Sequence, residues 1–280
     1  MKNIKLFASD IDGTFTYFNN YTSKKNIEAV KKLEEAGIHF LLCSGRGSKG
    51  LHWFMNDAGL KANCIGSNGN LIMNKEGEII FKNIIPTDVV KKVMKMAEEM
   101  ELIVAYHGIK DVHVTLNFED IKKRHHDYCL RSGEDLLKDE PSWIKEVANI
   151  EKTDEDVLND EICECEFIYV TDEQIEYFNE CFKDERLKLT SSGHNNFEIL
   201  PIEGGKDVTL LKYCESLNID RSEVVFVGDN KNDLDALLAF ENSWVVGNAS
   251  DEIKKLVKNV APRNDEDGVA YIIEEILKNR

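Results

Sequence analysis

In three places along this chain a short apolar run is followed directly by a polar residue. This pattern constrains the fold more than any other feature. Each run has the length and composition of a buried strand. In open parallel α/β sheets, ligands bind just outside the carboxyl ends of the strands. Residues that are far apart in sequence can therefore meet in one crevice. The runs and the residues that follow them are 4–9 before Asp10, 38–43 before Ser44 and 224–228 before Asp229.

Helical patterns alternate with these runs. Residues 23–36 carry apolar side chains at helical spacing, and Gly37 follows as a stop signal. The C-terminal part returns to the same rhythm, with helical patterns over 205–217 and 250–258 on either side of the run that precedes Asp229. Such alternation predicts an α/β fold in which helices cover both faces of a parallel sheet.

The rhythm changes in the middle of the chain. A helical pattern over 87–100 is followed by two strand patterns that resemble a hairpin over 102–116. We therefore predict an inserted α+β domain over 85–192, and a catalytic α/β core built from 1–84 and 193–280.

The chain is strongly acidic, and the acidity is unevenly distributed. The formal net charge is −17, and residues 85–192, with 27 Asp and Glu against 14 Lys and Arg, account for −13 of it. We expect no nucleic-acid partner, because phosphate backbones need a basic surface. A phosphate site in this chain must obtain positive charge from a cation, a lysine or main-chain N–H groups. We expect the densest acidic run, 151–166, to be a solvated face.

We expect a soluble cytoplasmic protein with no membrane segment and no obligate protein partner. No stretch approaches the roughly 18 apolar residues of a membrane span, and the N-terminus lacks the apolar region of a secretory signal. Seven cysteines without a Cys-x-x-Cys pair argue against a disulfide framework or a zinc ribbon. We interpret Cys163 and Cys165 as reduced, half-buried strand residues. We expect four histidines to be structural or exposed rather than metal ligands; they are His107, His113, His125 and His126.

Asp10 and Asp12 lie two residues apart where the chain turns through Gly13. One such carboxylate can attack a phosphoryl group and form an aspartyl phosphate, while the other protonates the departing oxygen and later activates water. A calcium loop is the alternative. An EF-hand loop needs Gly at its sixth position and is flanked by helices, whereas Gly13 is fourth and follows a strand pattern, so the calcium loop is disfavoured.

Asp229 follows the third apolar run. Carboxylates from two strand ends, Asp10 and Asp229, can hold a Mg²⁺ ion that accepts a phosphate oxygen, with Asp233 orienting the ligands. Ordinary helix capping by Asp229 is an alternative for this motif taken alone. Ser44 and Lys206 can bind the oxygens of a transferring phosphoryl group, although solvent exposure is the default for a single lysine.

These residues form four motifs in a fixed order, and three further segments accompany them. The four motifs are Asp10-x-Asp12-Gly13-Thr14, Ser44-Gly45-Arg46, Lys206 and Gly228-Asp229-x-x-Asn232-Asp233. The further segments are Ser67-Asn68-Gly69-Asn70, Phe197-Glu198-Ile199 and Asp267-Gly268-Val269-Ala270.

The four motifs resemble those of the haloacid dehalogenase superfamily of phosphatases, and the further segments are similar to its Cof-like branch with a type II (IIB) cap. The resemblance covers essentially the whole chain. It implies a Rossmann-like doubly wound core with an inserted α+β cap domain, Mg²⁺ as cofactor, Asp10 as nucleophile and Asp12 as acid and base. It also implies that Asp12 joins Asp10 and Asp229 at the metal. The positions implied around the metal and the phosphate are Thr14, Gly45, Asn232 and Asp233.

We expect the substrate to be a small phosphorylated metabolite with a single phosphate, most of all a sugar phosphate. The acidity of residues 85–192 repels additional phosphates within a Debye length of about 8 Å. The competing function is a non-catalytic or regulatory protein that binds a phosphorylated ligand on the same fold. The presence of both Asp10 and Asp12 favours the enzyme. The candidates for recognition of the leaving group are Arg46, Asn68, Ser191, His194 and Asn195.

Overall fold

The computed structural model divides the chain into two compact units, which we call the core unit and the inserted unit. The core unit consists of Met1–Phe81 and Gly204–Arg280, and the inserted unit is Lys82–Glu203. The residues that the structure describes are 3–17, 21–133, 152–190 and 195–279.

Strands and helices are numbered in chain order. The strands are β1 (Leu6–Ser9), β2 (His39–Cys43), β3 (Asn63–Gly66), β4 (Leu71–Met73), β5 (Ile79–Lys82), β6 (Ile103–Gly108), β7 (Val112–His113), β8 (Ile162–Ile168), β9 (Leu187–Thr190), β10 (Asn196–Pro201), β11 (Val224–Gly228), β12 (Trp244–Val245) and β13 (Asn259–Val260). The helices are α1 (Lys24–Glu35), α2 (Ser48–Ala58), α3 (Thr87–Glu99), α4 (Phe118–Ser132), α5 (Asp154–Leu158), α6 (Asp172–Cys181), α7 (Lys206–Ser216), α8 (Leu234–Ala239), α9 (Asp251–Leu256) and α10 (Gly268–Lys278).

The core unit contains a sheet with the strand order β13-β12-β11-β1-β2-β3-β4-β5. Pairing is parallel from β13 through to β3, which confirms the predicted α/β fold. The chain builds outward from β1 to β3 on one side and from β11 to β13 on the other, so the strand order reverses between β1 and β11. The strands β4 and β5, which the sequence patterns did not indicate, extend one edge, and β4 runs antiparallel to β3.

Both faces of this sheet are buried, as expected for parallel strands. Leu6 packs with Leu210 of α7 and Leu237 of α8 on one face. Its neighbour Phe7 points to the opposite face and stacks on Phe40 with ring centres 6.2 Å apart. Complete burial of a side chain such as Phe7 contributes about 1.5–3 kcal/mol. Apolar packing on both faces thus holds β1 in the middle of the sheet.

Helix α1 shows how local sequence sets an element of this unit. The Ser23 side chain accepts a hydrogen bond from the main-chain N–H of Asn26 at 3.0 Å, so Ser23 caps the helix start as its residue type favours. Gly37 follows the helix with a φ of +76°, a left-handed conformation that glycine adopts without a steric penalty. The predicted helix over 23–36 therefore agrees with the structure within one residue at each end.

The inserted unit contains an antiparallel sheet with the strand order β7-β6-β8-β10-β9. One face packs on α3 and α6, where Phe167 of β8 and Phe178 of α6 stack with ring centres 4.8 Å apart. The predicted hairpin is present as β6 and β7, with Tyr106 opposite His113. This unit therefore has its own apolar core.

The inserted unit extends further along the chain than the predicted 85–192. We assigned Phe197 and Ile199 to the core, but β10 pairs antiparallel with β8, with Phe197 opposite Phe167, and with β9. Both side chains are buried in the core of the inserted unit. A strand-like pattern does not reveal which sheet a strand joins, and this is why the boundary was placed too early.

The acidic run 151–166 is only partly a solvated face, because it includes the start of β8. Glu164 is 3% exposed in the middle of the sheet. Cys163 and Cys165 are free, as predicted, but they are fully buried rather than half-buried. Strand β8 has a neighbour on each side, and this position explains the burial of all three residues.

No helix among the described residues is long and apolar enough to cross a membrane.

Candidate active site

The pairing of β1 with β11 brings two predicted site residues side by side. Ser9, the last residue of β1, pairs with Val227 in parallel register. Asp10 follows, and its main-chain N–H donates to the Val227 carbonyl at 2.9 Å. Asp229 directly follows Gly228 at the end of β11. Both carboxylates therefore lie at the carboxyl edge of the sheet, where the strand order reverses and where ligands bind in such folds.

Lys206 links two of the aspartates. Its Nζ donates to Asp10 Oδ1 and to Asp233 Oδ1, each at 2.7 Å. The lysine is 2% exposed, so the default of solvent exposure does not hold. Burial by itself lowers the pKa of Lys206, but the Asp10 and Asp233 carboxylates outweigh it and hold the pKa above its usual value. Lys206 is therefore a permanent positive charge inside the site.

Asp233 also fixes the turn that carries Asp229. Its Oδ2 accepts hydrogen bonds from the main-chain N–H groups of Asp229 at 3.0 Å and Asn230 at 3.1 Å. A Cβ atom at Gly228 would lie 2.6 Å from the Asp233 side chain, so the close approach requires glycine. Both Asp233 oxygens are thus engaged, one by Lys206 and the other by the turn.

The surroundings of Asp10 and Asp229 raise the pKa of both carboxylates. Burial raises the pKa of Asp10 well above its ordinary value; Asp233 adds to the shift and Lys206 opposes it. Burial also raises the pKa of Asp229 to about 6, although the Thr14 hydroxyl opposes the change. With all three aspartates ionised, three negative charges face one ammonium group. The cluster therefore has the negative excess that a divalent cation would neutralise.

The donor set fits a hard divalent cation. One oxygen from each of Asp10, Asp229 and Asp233 lies within 4.8 Å of the others, and this is the one such group of acidic, His or Cys side chains among the described residues. Mg²⁺ prefers oxygen ligands and takes few of them from protein. Asp12 was also predicted at the metal, but its carboxylate lies outside this group and binds Arg46 instead.

Gly13 and Thr14 hold the Asp229 carboxylate from the side of the first motif. The Thr14 hydroxyl donates to Asp229 Oδ1 at 2.8 Å. Gly13 has a φ of +80°, and a Cβ atom there would lie 2.6 Å from Asp229 Oδ2. Glycine is therefore required at this position for both backbone conformation and space. Thr14 therefore contacts the Asp229 carboxylate directly.

Asp12 and Arg46 form a two-pronged ion pair. Arg46 Nε donates to Asp12 Oδ2 at 2.9 Å, and Nη2 donates to Oδ1 at 2.6 Å. The Asp12 side chain is 50% exposed and the Arg46 side chain is 17% exposed. The pair therefore joins the first motif to the second at the solvent-accessible side of the site.

The second motif continues into a buried polar network. The Ser44 hydroxyl accepts from the main-chain N–H of Arg46 at 3.1 Å, and the Ser44 carbonyl accepts from the main-chain N–H of Asn68 at 3.2 Å. Asn232 Nδ2 donates to Asn68 Oδ1 at 3.3 Å. A Cβ atom at Gly45 would lie 3.1 Å from Asn68 Oδ1, a tight contact that glycine avoids. One polar network thus contains Ser44 and four other predicted residues, which are Gly45, Arg46, Asn68 and Asn232.

Two asparagines that we did not predict brace the first motif. Asn248 Nδ2 donates to the Gly13 carbonyl at 2.8 Å, and Asn264 Nδ2 donates to the Thr16 carbonyl at 2.9 Å. The two are joined, because Asn264 N donates to Asn248 Oδ1 at 3.0 Å. Asn248 closely follows β12, so the rule that polar residues collect after parallel strands could have found it.

Three leaving-group candidates remain. Ser191 and His194 lie outside the described residues. Asn195 belongs to the inserted unit, where its carbonyl accepts from the main-chain N–H of Val170 at 3.0 Å.

The four histidines of the inserted unit are either exposed or hydrogen-bonded within the unit. His126 is exposed. The other three have hydrogen-bond partners within the unit, which are Glu166 for His107 at 3.4 Å, Asp160 for His113 at 2.8 Å and Cys129 for His125 at 3.4 Å.

Comparison with known proteins gives consistent matches over the chain. A family model described as haloacid dehalogenase-like hydrolase matches residues 7–273. A 5-amino-6-(5-phospho-D-ribitylamino)uracil phosphatase of Bacillus subtilis is 26% identical over 289 residues, which cover 99% of each chain. A solved haloacid dehalogenase-like hydrolase from B. subtilis has a TM-score of 0.80 at 23% identity, covering 98% of this chain and 100% of the other. A subclass IIB sugar phosphatase of the superfamily has a TM-score of 0.76 at 20% identity, covering 97% of this chain and 98% of the other.

Because the family model spans nearly the whole chain, the chain belongs to the haloacid dehalogenase-like hydrolases. The predicted superfamily, its phosphatase class and the fold class are thereby confirmed. The two solved structures are less than 25% identical to this chain, so they bear on the fold alone.

Proposed function

We propose that this enzyme hydrolyses small phosphate monoesters in a Mg²⁺-dependent reaction that passes through an aspartyl phosphate at Asp10. The observation that carries the proposal is the position of Asp10 at the end of β1. There Asp10 lies 2.7 Å from the Lys206 ammonium group, and one of its oxygens is within 4.8 Å of oxygens of Asp229 and Asp233.

The reaction follows from the two carboxylates of the first motif. An Asp10 oxygen attacks phosphorus, and the bond from phosphorus to the ester oxygen breaks while Asp12 gives that oxygen a proton. In the second step Asp12 takes a proton from water, the water oxygen attacks phosphorus, and the Asp10 carboxylate is released with phosphate. Asp12 suits this exchange because its side chain is half-exposed and can reach solvent.

Asp10 and Asp229 are the proposed side-chain ligands of Mg²⁺. Asp12, whose carboxylate is bound to Arg46, remains a proposed third ligand. When bound, the ion supplies positive charge that keeps Asp10 ionised and accepts a phosphate oxygen. Asp233 holds Lys206 and the turn at Asp229 in place.

Ser44 and Lys206 are the proposed ligands of the transferring phosphoryl group. Lys206 is held against Asp10, so its charge is already in place when negative charge shifts during transfer. The Ser44 hydroxyl and the N–H groups near Gly45 are hydrogen-bond donors at the end of β2. Asn232 supports this arrangement through its bond to Asn68.

For the substrate we propose a small metabolite with one phosphate and several hydroxyl groups, such as a sugar phosphate. The B. subtilis relative is named for a substrate in which a single phosphate is carried on a ribityl chain. The formal charge of −13 on residues 85–192 supports a preference for single phosphates. Asn68, Ser191, His194 and Asn195 remain the proposed contacts of the leaving group, and the cytoplasm the proposed location.

The chemistry is tested by hydrolysis of p-nitrophenyl phosphate with Mg²⁺ and with excess chelator. We expect turnover with Mg²⁺ and none with chelator, because the acidic cluster repels phosphate when no cation is bound. Full activity in excess chelator contradicts the metal requirement. Binding of phosphorylated metabolites without any turnover in Mg²⁺ indicates the non-catalytic alternative.

The substrate class is tested by comparing kcat/KM for hexose monophosphates and hexose bisphosphates at low and high salt. We expect the monophosphates to be preferred at low salt and the preference to shrink as salt screens the charges. A preference for bisphosphates at low salt contradicts the proposal.

A further inference from the structure

The contact between Arg46 and Asp12 has the geometry of a directional clamp. Nε and Nη2 of Arg46 reach the two carboxylate oxygens at 2.9 and 2.6 Å. Two parallel N–H···O bonds from a planar guanidinium fix the plane of the carboxylate as well as its distance. A single point charge would leave the carboxylate free to rotate.

Arg46 is itself held by contacts that do not involve Asp12. Its main-chain N–H donates to the Ser44 hydroxyl at 3.1 Å, and its carbonyl accepts from the main-chain N–H of Ser67 at 2.9 Å. The guanidinium carbon lies 5.3 Å from the centre of the Phe54 ring on α2, within the range of a cation–π contact. The Arg46 guanidinium is therefore held in position by contacts that do not depend on the Asp12 carboxylate.

Asp12 has less support of its own. It lies in the irregular turn Ile11–Phe15, where its φ and ψ of −78° and 116° are not helical, and its side chain is 50% exposed. Among the described residues, Arg46 is the one side chain in hydrogen-bond contact with its carboxylate. The direction of the Asp12 carboxylate therefore depends on Arg46.

We propose that Arg46 is a positioning residue that aims the Asp12 carboxylate at the ester oxygen, an inference that rests on the proposed acid and base role of Asp12. The guanidinium transfers no proton, because it remains protonated throughout. When Asp12 carries the proton on one oxygen, Arg46 gives up its bond to that oxygen and keeps the bond to the other. The proton then moves from Asp12 to the ester oxygen, and the two-pronged pair forms again. Arg46 thus holds Asp12 through both half-reactions.

The alternative is that Arg46 binds the leaving group directly, as the sequence pattern suggested. The two roles predict different effects on activity when Arg46 is removed. A positioning residue acts only through Asp12, so its removal costs most when the ester oxygen needs a proton. A residue that binds the leaving group contributes to substrate binding whether or not Asp12 is present.

The test compares Arg46→Gln and Arg46→Lys with the wild type on an alkyl phosphate, which is a poor leaving group, and on p-nitrophenyl phosphate, which needs little protonation. We expect Arg46→Gln to lower kcat for the alkyl phosphate by about 10- to 100-fold, since misplacement by about 1 Å can cost about 10²-fold. For p-nitrophenyl phosphate we expect phosphoenzyme formation to slow by less than about threefold, because that step needs little protonation, whereas hydrolysis of the phosphoenzyme should slow for both substrates; KM should not rise for either. Arg46→Lys keeps the charge without the fork, so it should restore only part of the rate.

The double variant with Asp12→Ala separates the two roles. We expect Arg46→Gln to have almost no further effect on phosphoenzyme formation from the alkyl phosphate in the Asp12→Ala background, although it lowers that rate when Asp12 is present, because coupled residues are not additive. An equal loss in both backgrounds, or a raised KM with unchanged kcat, overturns the inference and assigns Arg46 to the leaving group.

Arg186→Gln is the matched control, because Arg186 binds Asp88 and Asp184 through a similar fork in the inserted unit. It should leave both substrates unaffected, and thermal melting should show that all variants are folded. Failure of the proposed function can be distinguished from failure of the Arg46 inference, because the wild type would then hydrolyse neither substrate.

Discussion

The core unit and the inserted unit use buried polar residues in different ways. In the core unit, Asp10 and Asp229 lie just beyond the ends of neighbouring parallel strands and share partners. In the inserted unit, two buried acids lie inside strands rather than after them. Glu164 on β8 is 3% exposed and Glu198 on β10 is 2% exposed, and Glu198 stands opposite Glu166 in the antiparallel sheet.

Sheet topology explains the difference. In a parallel sheet all carboxyl ends fall on one edge, so residues that follow separate strands are concentrated there. In an antiparallel sheet the strand ends alternate between two edges, and no edge collects them. The polar groups of the inserted unit instead compensate one another within the sheet, as His107 does for Glu166 at 3.4 Å. We therefore expect the chemistry to reside in the core unit.

The largest expected effect is that of Asp10→Asn. The amide cannot attack phosphorus as a carboxylate does, so turnover of p-nitrophenyl phosphate should fall to the background rate. The fold should be retained, because Asn keeps an oxygen that can accept from Lys206 and the cluster loses one of its excess negative charges. The midpoint of thermal unfolding in the absence of metal should therefore stay equal or rise.

Glu164→Gln is the matched substitution in the inserted unit. It also converts a buried carboxylate into an amide, but it should leave turnover of p-nitrophenyl phosphate within about twofold. Substantial activity in Asp10→Asn removes Asp10 as the nucleophile. Loss of activity in Glu164→Gln, with the fold intact, contradicts the expectation that the chemistry resides in the core unit.

Asp12→Ala should have the next largest effect, a loss of about 10²- to 10⁴-fold in turnover, which is the usual contribution of a general acid or base. Rapid-quench labelling with p-nitrophenyl phosphate, which needs little protonation, should show that the phosphoenzyme forms and persists. If the phosphoenzyme decays as fast as in the wild type, another residue activates the water.

Asp229→Ala should raise the Mg²⁺ concentration needed for half-maximal activity by roughly 10- to 100-fold, the scale at which the loss of a supporting contact already weakens a metal site. Titration of Mg²⁺ by calorimetry measures the same change without turnover. Thr14→Val, which removes only the hydroxyl that binds Asp229 Oδ1 at 2.8 Å, should produce a smaller shift in the same direction. An unchanged Mg²⁺ requirement in Asp229→Ala would mean that the Asp229 carboxylate is not a ligand of the metal.

Three positions in the candidate site were predictable because they follow strands that were readable as apolar runs. Asp10, Ser44 and Asp229 are all found where that rule places them. The pairing of Asp12 with Arg46 was not predictable, because it depends on the directions of two side chains from separate motifs. A pattern of residue types gives a position along the chain but no side-chain rotamer.

The inserted unit was less predictable for a related reason. The pattern of β10 is that of a strand, but only the pairing of Phe197 with Phe167 shows that it joins the antiparallel sheet. Glu164 was interpreted as solvated because it lies in an acidic run, and a neighbouring strand on each side of β8 buries it instead. Composition describes a segment, whereas burial depends on which strands flank it.

The substitution His107→Gln should have the smallest effect on activity. Its expected effect is on the stability of the inserted unit. Burial by itself lowers the pKa of His107, but the carboxylates of Glu164, Glu166 and Glu198 outweigh it and raise the pKa to about 9. The unfolded value is about 6.5. The raised pKa stabilises the folded state fully below about pH 6.5, and this contribution is lost as the pH rises through about 9.

We therefore expect the stability of the wild type to fall between pH 6.5 and 9 more steeply than that of His107→Gln, by up to about 3 kcal/mol in the free energy of unfolding. His126→Gln is the control, because His126 is exposed and should keep the wild-type slope. Turnover of p-nitrophenyl phosphate at pH 7 should be similar in all three proteins, since the chemistry belongs to the core unit. Denaturant unfolding across this pH range measures the slopes. Equal slopes in the wild type and His107→Gln would mean that His107 is not the counter-charge of the buried acids, and the proposed compensation within this sheet would then need another cation.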